Sequence, residues 1–494
     1  MTIQGRLPGD RQNRQTLTRV LVTGLLLLLP LPAALTIGAM ESPAPKEKLF
    51  LIVAPEAFHS SLKEYTRAKE KTFPTRLVSL EKILKESSGA DDPERLKRFL
   101  YKAWKEEKLA YVLLVGDVDV VPVRYMVLDR ATPAAFDYAF YPSDLYYSDL
   151  ARQDGTFDDW NARKDGFHAS YYGEVRGEKN KNDPINYDQI DYLPEVAVGR
   201  WPVSSAEEAG VVAAKTLAYE SQIAARRHPG EHFASIFHVG GWVDARERMD
   251  RLIASLPTGW QSEKRYFKDS NPRFATPAPD ETGVLSALNK GAGLVIHVGH
   301  GSETTWEECF STKSLEKVHN ADRLPVVVSG GCSTAYFAPL PPYQAYVDIH
   351  GKEHAGTDKG EVFKAPPPPP SPYQKGKYNP TGLGEQLLKR GSDGAVAYIG
   401  CNTGSQPCGL TLLDGFVKGM GEQEKPRLGD CWMAAIRHYH RHEKLASLKP
   451  NEDWYPPSIF FQGMKFMVFG DPTLPLAMPA GPSRPGNSSP RSGR

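Results

Sequence analysis

LVIHVGHGSETTW (Leu294–Trp306) and LPVVVSGGCSTAYF (Leu324–Phe337) decide how this chain folds. Each opens with a short apolar, β-branched run and stops abruptly at glycines. Runs of this kind read as strands buried on both faces of a parallel sheet. Open α/β sheets place their ligands where such strands end. His300 stands at the first exit between two glycines, and Cys332 stands at the second after two glycines. A thiol becomes a nucleophile as its thiolate, and a nearby imidazole can take the proton. The backbone N–H groups of Gly301 and Cys332 can point toward the oxygen that turns negative in a tetrahedral intermediate.

Working outward, KLFLIVAP (Lys48–Pro55) and LAYVLLVGD (Leu109–Asp117) predict two earlier strands, with an amphipathic helix over Asp91–Lys108 between them. PEVAVGR (Pro194–Arg200) predicts a third strand. The helix that follows starts at a capping box, Ser204 with Glu207 or Ser205 with Glu208. HFASIFHVGG (His232–Gly241) opens a second set of strands, which continues through GAVAYIG (Gly394–Gly400) and KFMVFGDPTL (Lys465–Leu474). Strands alternating with helices define an α/β fold of two adjacent units, with mainly parallel sheets flanked by helices. The units are expected at residues 48–225 and 231–476, the second carrying a Pro-rich insertion at 338–380. Pro366–Pro370 in that insertion predicts polyproline II or disorder, and the tail 477–494 predicts disorder.

Residues 1–39 read as a signal peptide. Four arginines precede the apolar run Val20–Leu35, and Gly38 and Ala39 follow it. The run is shorter than a spanning helix requires, so no stable membrane span is expected after cleavage, and the chain is expected in the cell envelope or outside the cell. A net charge of +1 gives no reason to expect nucleic acid as a partner. Cysteines at 309, 332, 401, 408 and 431 are odd in number and too scattered for a disulfide framework, although Cys401 and Cys408 could pair locally. His297 lies inside its strand and reads as structural. A zinc site from His297, His300 and Cys332 lacks a fourth ligand and a standard spacing, so no metal is expected there.

GHGSETTW (Gly299–Trp306) and VVVSGGCSTAYF (Val326–Phe337) resemble the histidine and cysteine motifs of the gingipain-type cysteine peptidases, a branch of the caspase-like clan. YVLLVGDVDVVP, SDLYYSDL, PEVAVGRWPVSSAEEA and VFGDPTL extend the resemblance over roughly residues 48–476. The resemblance implies a caspase-like fold and hydrolysis of protein or peptide substrates through a thioester acyl-enzyme. His300 would be the general base or acid, Cys332 the nucleophile, and the N–H groups of Gly301 and Cys332 the oxyanion hole. It also admits a sortase-like transpeptidase or a silent binding module of the same fold.

The family's specificity carboxylate corresponds to Asp244, which otherwise reads as the N-cap of the next helix. FHVGGW (Phe237–Trp242) has no carboxylate to orient the histidine, so no third member is named. No cofactor is required. Calcium occurs in the family as a structural ion, and the stretch Ser148–Gly166, with Asp149, Asp154, Asp158, Asp159 and Asp165, is the kind of oxygen-rich loop that can bind it.

Overall fold

A computed structural model describes residues 48–127, 140–160, 190–240, 244–268, 271–363, 367–449 and 459–479. The leader, Asp165 and most of the tail lie outside these residues. One ten-stranded sheet forms the centre of the protein. In chain order its strands are β1 (Leu49–Ala54), β2 (Thr75–Ser79), β3 (Leu109–Val115), β4 (Ala197–Trp201), β5 (Phe233–His238), β6 (Gln261–Tyr266), β7 (Leu294–Val298), β8 (Val326–Ser329), β9 (Ala397–Cys401) and β10 (Phe466–Phe469). They lie side by side as β2-β1-β3-β4-β10-β9-β8-β7-β5-β6.

Every neighbouring pair is parallel except β9 with β10. The last strand therefore joins two parallel halves that run in opposite directions. The expected boundary near 225–231 falls between the helix at Ala206–Ala224 and β5, and the sheet continues on both sides of it. All residues of β7 and β8 are buried, which explains why both read as unbroken apolar runs.

Ten α-helices accompany the strands: α1 (His59–Lys69), α2 (Leu80–Glu86), α3 (Asp92–Glu107), α4 (Leu145–Ser148), α5 (Ala206–Ala224), α6 (Arg246–Ala254), α7 (Glu281–Lys290), α8 (Leu383–Lys389), α9 (Leu410–Glu422) and α10 (Leu428–His442) among the described residues. Of the two capping residues open at the start of α5, Ser205 is the N-cap. Ser205 Oγ accepts the Glu208 N–H at 3.1 Å, and Glu208 returns a carboxylate to the Ser204 N–H at 2.9 Å. None of these helices is long and apolar enough to cross a membrane.

The Pro-rich insertion is tied down through its carbonyls. Its prolines donate nothing, yet their carbonyls accept hydrogen bonds and order the segment. Ile349 donates to Pro369 at 2.9 Å, the Tyr346 hydroxyl to Pro368 at 2.9 Å, and Val123 of the first half to Pro372 at 3.0 Å. Gln374 N–H in turn donates to Val118 at 3.1 Å, so the insertion is tied to the first half of the sheet.

Candidate active site

The adjacent, parallel strands β7 and β8 lie inside the sheet, end together and release the His300 and Cys332 loops at their carboxyl ends. The first loop is a small hairpin. Ser302 N–H donates to Thr305 O at 2.9 Å and Glu307 N–H to His300 O at 3.1 Å. Its anchor is Trp306, buried and stacked on His297 with ring centroids 4.6 Å apart and an interplanar angle of 4°. The indole N–H donates to the Tyr398 hydroxyl of β9 at 3.0 Å.

Glycine is required where the loops meet. A Cβ at Gly301 would lie 2.9 Å from the Cys332 carbonyl oxygen and 2.5 Å from Thr334 Cγ2. One at Gly331 would lie 2.9 Å from the His297 ring. The histidine and cysteine loops are thus in direct backbone contact. Among the described residues, neither the Gly301 nor the Cys332 N–H donates to another residue.

Cys332 is partly buried. Its Sγ accepts the Ser405 N–H at 3.2 Å and lies 3.5 Å from the Ser405 carbonyl. Burial pushes the thiol up, while the Ser405 N–H and the Lys465 ammonium act in the opposite direction. Ser333 follows with a left-handed backbone, φ 52°, and its N–H donates to Thr403 O at 2.8 Å. That turn carries the chain past the end of β9. Among the described residues no hydrogen bond joins the His300 imidazole to the thiol; such contacts are often long without substrate. His297 is a different case. Burial, then the charge of His238, pulls it down to about 3, so it stays neutral at physiological pH. Its Nδ1 lies 2.9 Å from Ser329 Oγ.

Asp244 lies just before α6, and its side chain is 56% exposed. Both its oxygens are engaged by the Arg246 guanidinium, and Oδ1 also accepts the Arg246 N–H at 3.2 Å. This is a helix-entry contact. A substrate guanidinium would have to displace one already in place. Sequence reasoning did not find Ser405 or Lys465. Ser405 acts through its backbone, which leaves no residue-type signal, and Lys465 is brought near only by the antiparallel return of β10. Among the described residues no disulfide joins Cys401 to Cys408.

A histidine loop and a cysteine loop held together at the ends of neighbouring parallel strands define a cysteine-peptidase architecture. Residues 44–477 match peptidase family C25, and the chain belongs to that family. Its fold is that of the crystal structure of the Arg-specific cysteine proteinase gingipain R, with a TM-score of 0.54 and 17% identity over 88% of this chain and 79% of that one. Gingipain R2 of Porphyromonas gingivalis is 28% identical over 166 residues, 32% of this chain but 22% of its own length. Lys-gingipain of the same organism is 24% identical over 170 residues, 33% of this chain and 10% of that protein. An uncharacterised protein of Archaeoglobus fulgidus is 22% identical over 381 residues, 70% of this chain and 73% of its own length. The chain therefore spans a small part of the gingipains it matches.

Proposed function

We propose that this chain is an exported cysteine endopeptidase with Cys332 as nucleophile and His300 as general base and acid. The imidazole takes the thiol proton as Sγ attacks the scissile carbonyl carbon. The resulting oxyanion is held by the Gly301 and Cys332 N–H groups. His300 then gives the proton to the departing amine, leaving a thioester that water hydrolyses. The observation that supports this reading best is the contact of the two loops, with neither N–H group donating to another residue among the described residues. A thiol raised by burial favours proton removal during attack over a standing thiolate at neutral pH. Asp244 has no part in the proposal, because Arg246 already holds it.

A peptidyl acyloxymethyl ketone tests the assignment. Of the five cysteines, Cys332 alone is expected to carry the label after peptide mapping. Labelling of another cysteine, or none in folded protein, removes Cys332 as nucleophile. An added amine in the peptide assay separates hydrolysis from transfer. Free acid as the main product is expected.

Export rests on the leader read from the sequence. Protein from a secreting host should begin near Met40 or Glu41, as measured by intact mass. A mass that retains residues 1–35 in a membrane fraction would make the leader an anchor.

A further inference from the structure

The peptide that joins Gly331 to Cys332 is the part of the nucleophile loop with the least backbone support. Before it, Gly330 N–H donates to His297 O at 2.8 Å. After it, the Ser333 and Ala335 N–H groups donate to Thr403 O and Cys401 O at 2.8 and 2.9 Å. Between these points, among the described residues, neither the Gly331 carbonyl nor the Cys332 N–H meets another backbone group. Two glycines precede the cysteine, so little steric resistance opposes rotation of this peptide. Its orientation matters, because the Cys332 N–H is one of the two oxyanion donors of the proposed mechanism.

Thr334 supplies the restraint from a side chain. The residue is fully buried, and its hydroxyl donates to the Gly331 carbonyl at 3.2 Å and to Ser329 Oγ at 3.0 Å. Ser329, also buried, accepts the Gly331 N–H on Oγ at 3.3 Å, and the same oxygen lies 2.9 Å from His297 Nδ1. Gly331 is therefore gripped at both its N–H and its C=O. A trans peptide is planar, and its C=O and N–H point in opposite directions. Holding the Gly331 carbonyl on the buried Thr334 hydroxyl aims the Cys332 N–H away from it.

The other donor is aimed in the same way, by a backbone group. The His300 carbonyl accepts the Glu307 N–H at 3.1 Å, which turns the Gly301 N–H of that peptide the opposite way. Thr334 touches this half too, since its Cγ2 lies 2.5 Å from where a Gly301 Cβ would stand. One side chain thus reaches both donor loops, the first by its methyl and the second by its hydroxyl. We propose that Thr334 is a positioning residue of the oxyanion hole, whose hydroxyl holds the Gly331–Cys332 peptide with its N–H aimed at the reacting carbonyl. This role rests on the peptidase reading of Cys332.

Thr334→Val removes the hydroxyl at nearly constant shape, and Thr334→Ser keeps it. With a peptide substrate the valine chain should lose about tenfold or more in kcat, with KM within about twofold of the parent. That is part of the roughly 10²–10³-fold that a whole oxyanion donor supplies. Serine should recover most of the loss. Two reagents separate the hole from the thiol. A peptide aldehyde adds to Sγ and places its oxygen in the hole, so its inhibition constant should rise about tenfold or more in Thr334→Val. Iodoacetamide alkylates Sγ by displacing iodide from a saturated carbon and forms no oxyanion, so its rate at Cys332 should stay within about twofold. Should the valine chain not fold, Thr334→Ala and Thr334→Ser differ by the same hydroxyl and carry the same expectations. Parent-like kcat and aldehyde inhibition in the valine chain would overturn the proposal. So would equal losses toward both reagents, or a serine chain as slow as the valine chain. A parent chain that cleaves no peptide and takes up no aldehyde at Cys332 would instead overturn the peptidase reading, and this role with it.

Discussion

Cys332→Ala should reduce peptide hydrolysis to background, and His300→Ala should lower kcat by roughly 10²–10⁴-fold, the usual contribution of a general acid–base group. The two residues act in one proton-transfer sequence, so the double variant should be no slower than Cys332→Ala alone. Folding should survive. Both positions lie on loops at the strand ends, and the clearest structural loss is the sulfur acceptor for the Ser405 N–H. That loss costs about 1 kcal/mol. Circular dichroism melts accompany the kinetics to separate activity from stability. A folded Cys332→Ala chain that keeps most of its activity would assign the nucleophile elsewhere. The His300→Ala chain offers a second readout. With burial holding the thiol up and no imidazole to take its proton, iodoacetamide labelling of Cys332 should keep rising with pH beyond the ordinary thiol range.

What the sequence revealed follows from burial. β7 and β8 are covered on both faces, so they appear as continuous apolar runs, and the glycines mark where those runs stop. The edge strands β2 and β6, TRLVS and QSEKRY, have no apolar run because they are only partly covered, and sequence reading passed over them. Strand direction is also invisible to periodicity. Nothing in KFMVFGDPTL says that this strand runs opposite to β9 and joins two halves into one sheet. The acidic cluster of Asp149, Asp158 and Asp191 divides in the same way. Asp149 and Asp158 stand in a legible acidic stretch, whereas Asp191 is recruited by tertiary structure. The anchoring of the insertion is not legible in its prolines, which have no N–H to donate. Its carbonyls remain full acceptors, and they are what order the segment.

Trp306→Ala should be the most damaging single substitution near the site, lowering stability by about 3–5 kcal/mol. Trp306 is 1% exposed, lies flat against His297 and is hydrogen-bonded to Tyr398 of β9. Truncation leaves a large cavity beside the neutral His297 ring and removes one hydrogen-bond partner of the buried Tyr398 hydroxyl. It should also act on function, because this indole holds the hairpin that carries His300 and Gly301 against the Cys332 loop. A misplacement of about 1 Å costs roughly 100-fold in rate, so kcat/KM should fall even at temperatures where the variant is fully folded. Trp306→Phe separates the two effects. It keeps part of the stack, leaves a smaller cavity than alanine does, and loses the indole N–H, a hydrogen bond worth about 1 kcal/mol. The phenylalanine chain should therefore retain most of its activity. Urea unfolding at 25 °C and kcat/KM on one peptide substrate provide both measurements. An alanine chain within about 1 kcal/mol of the parent would show that the hairpin is held by its backbone contacts with the Cys332 loop, and that the aromatic stack is not its anchor.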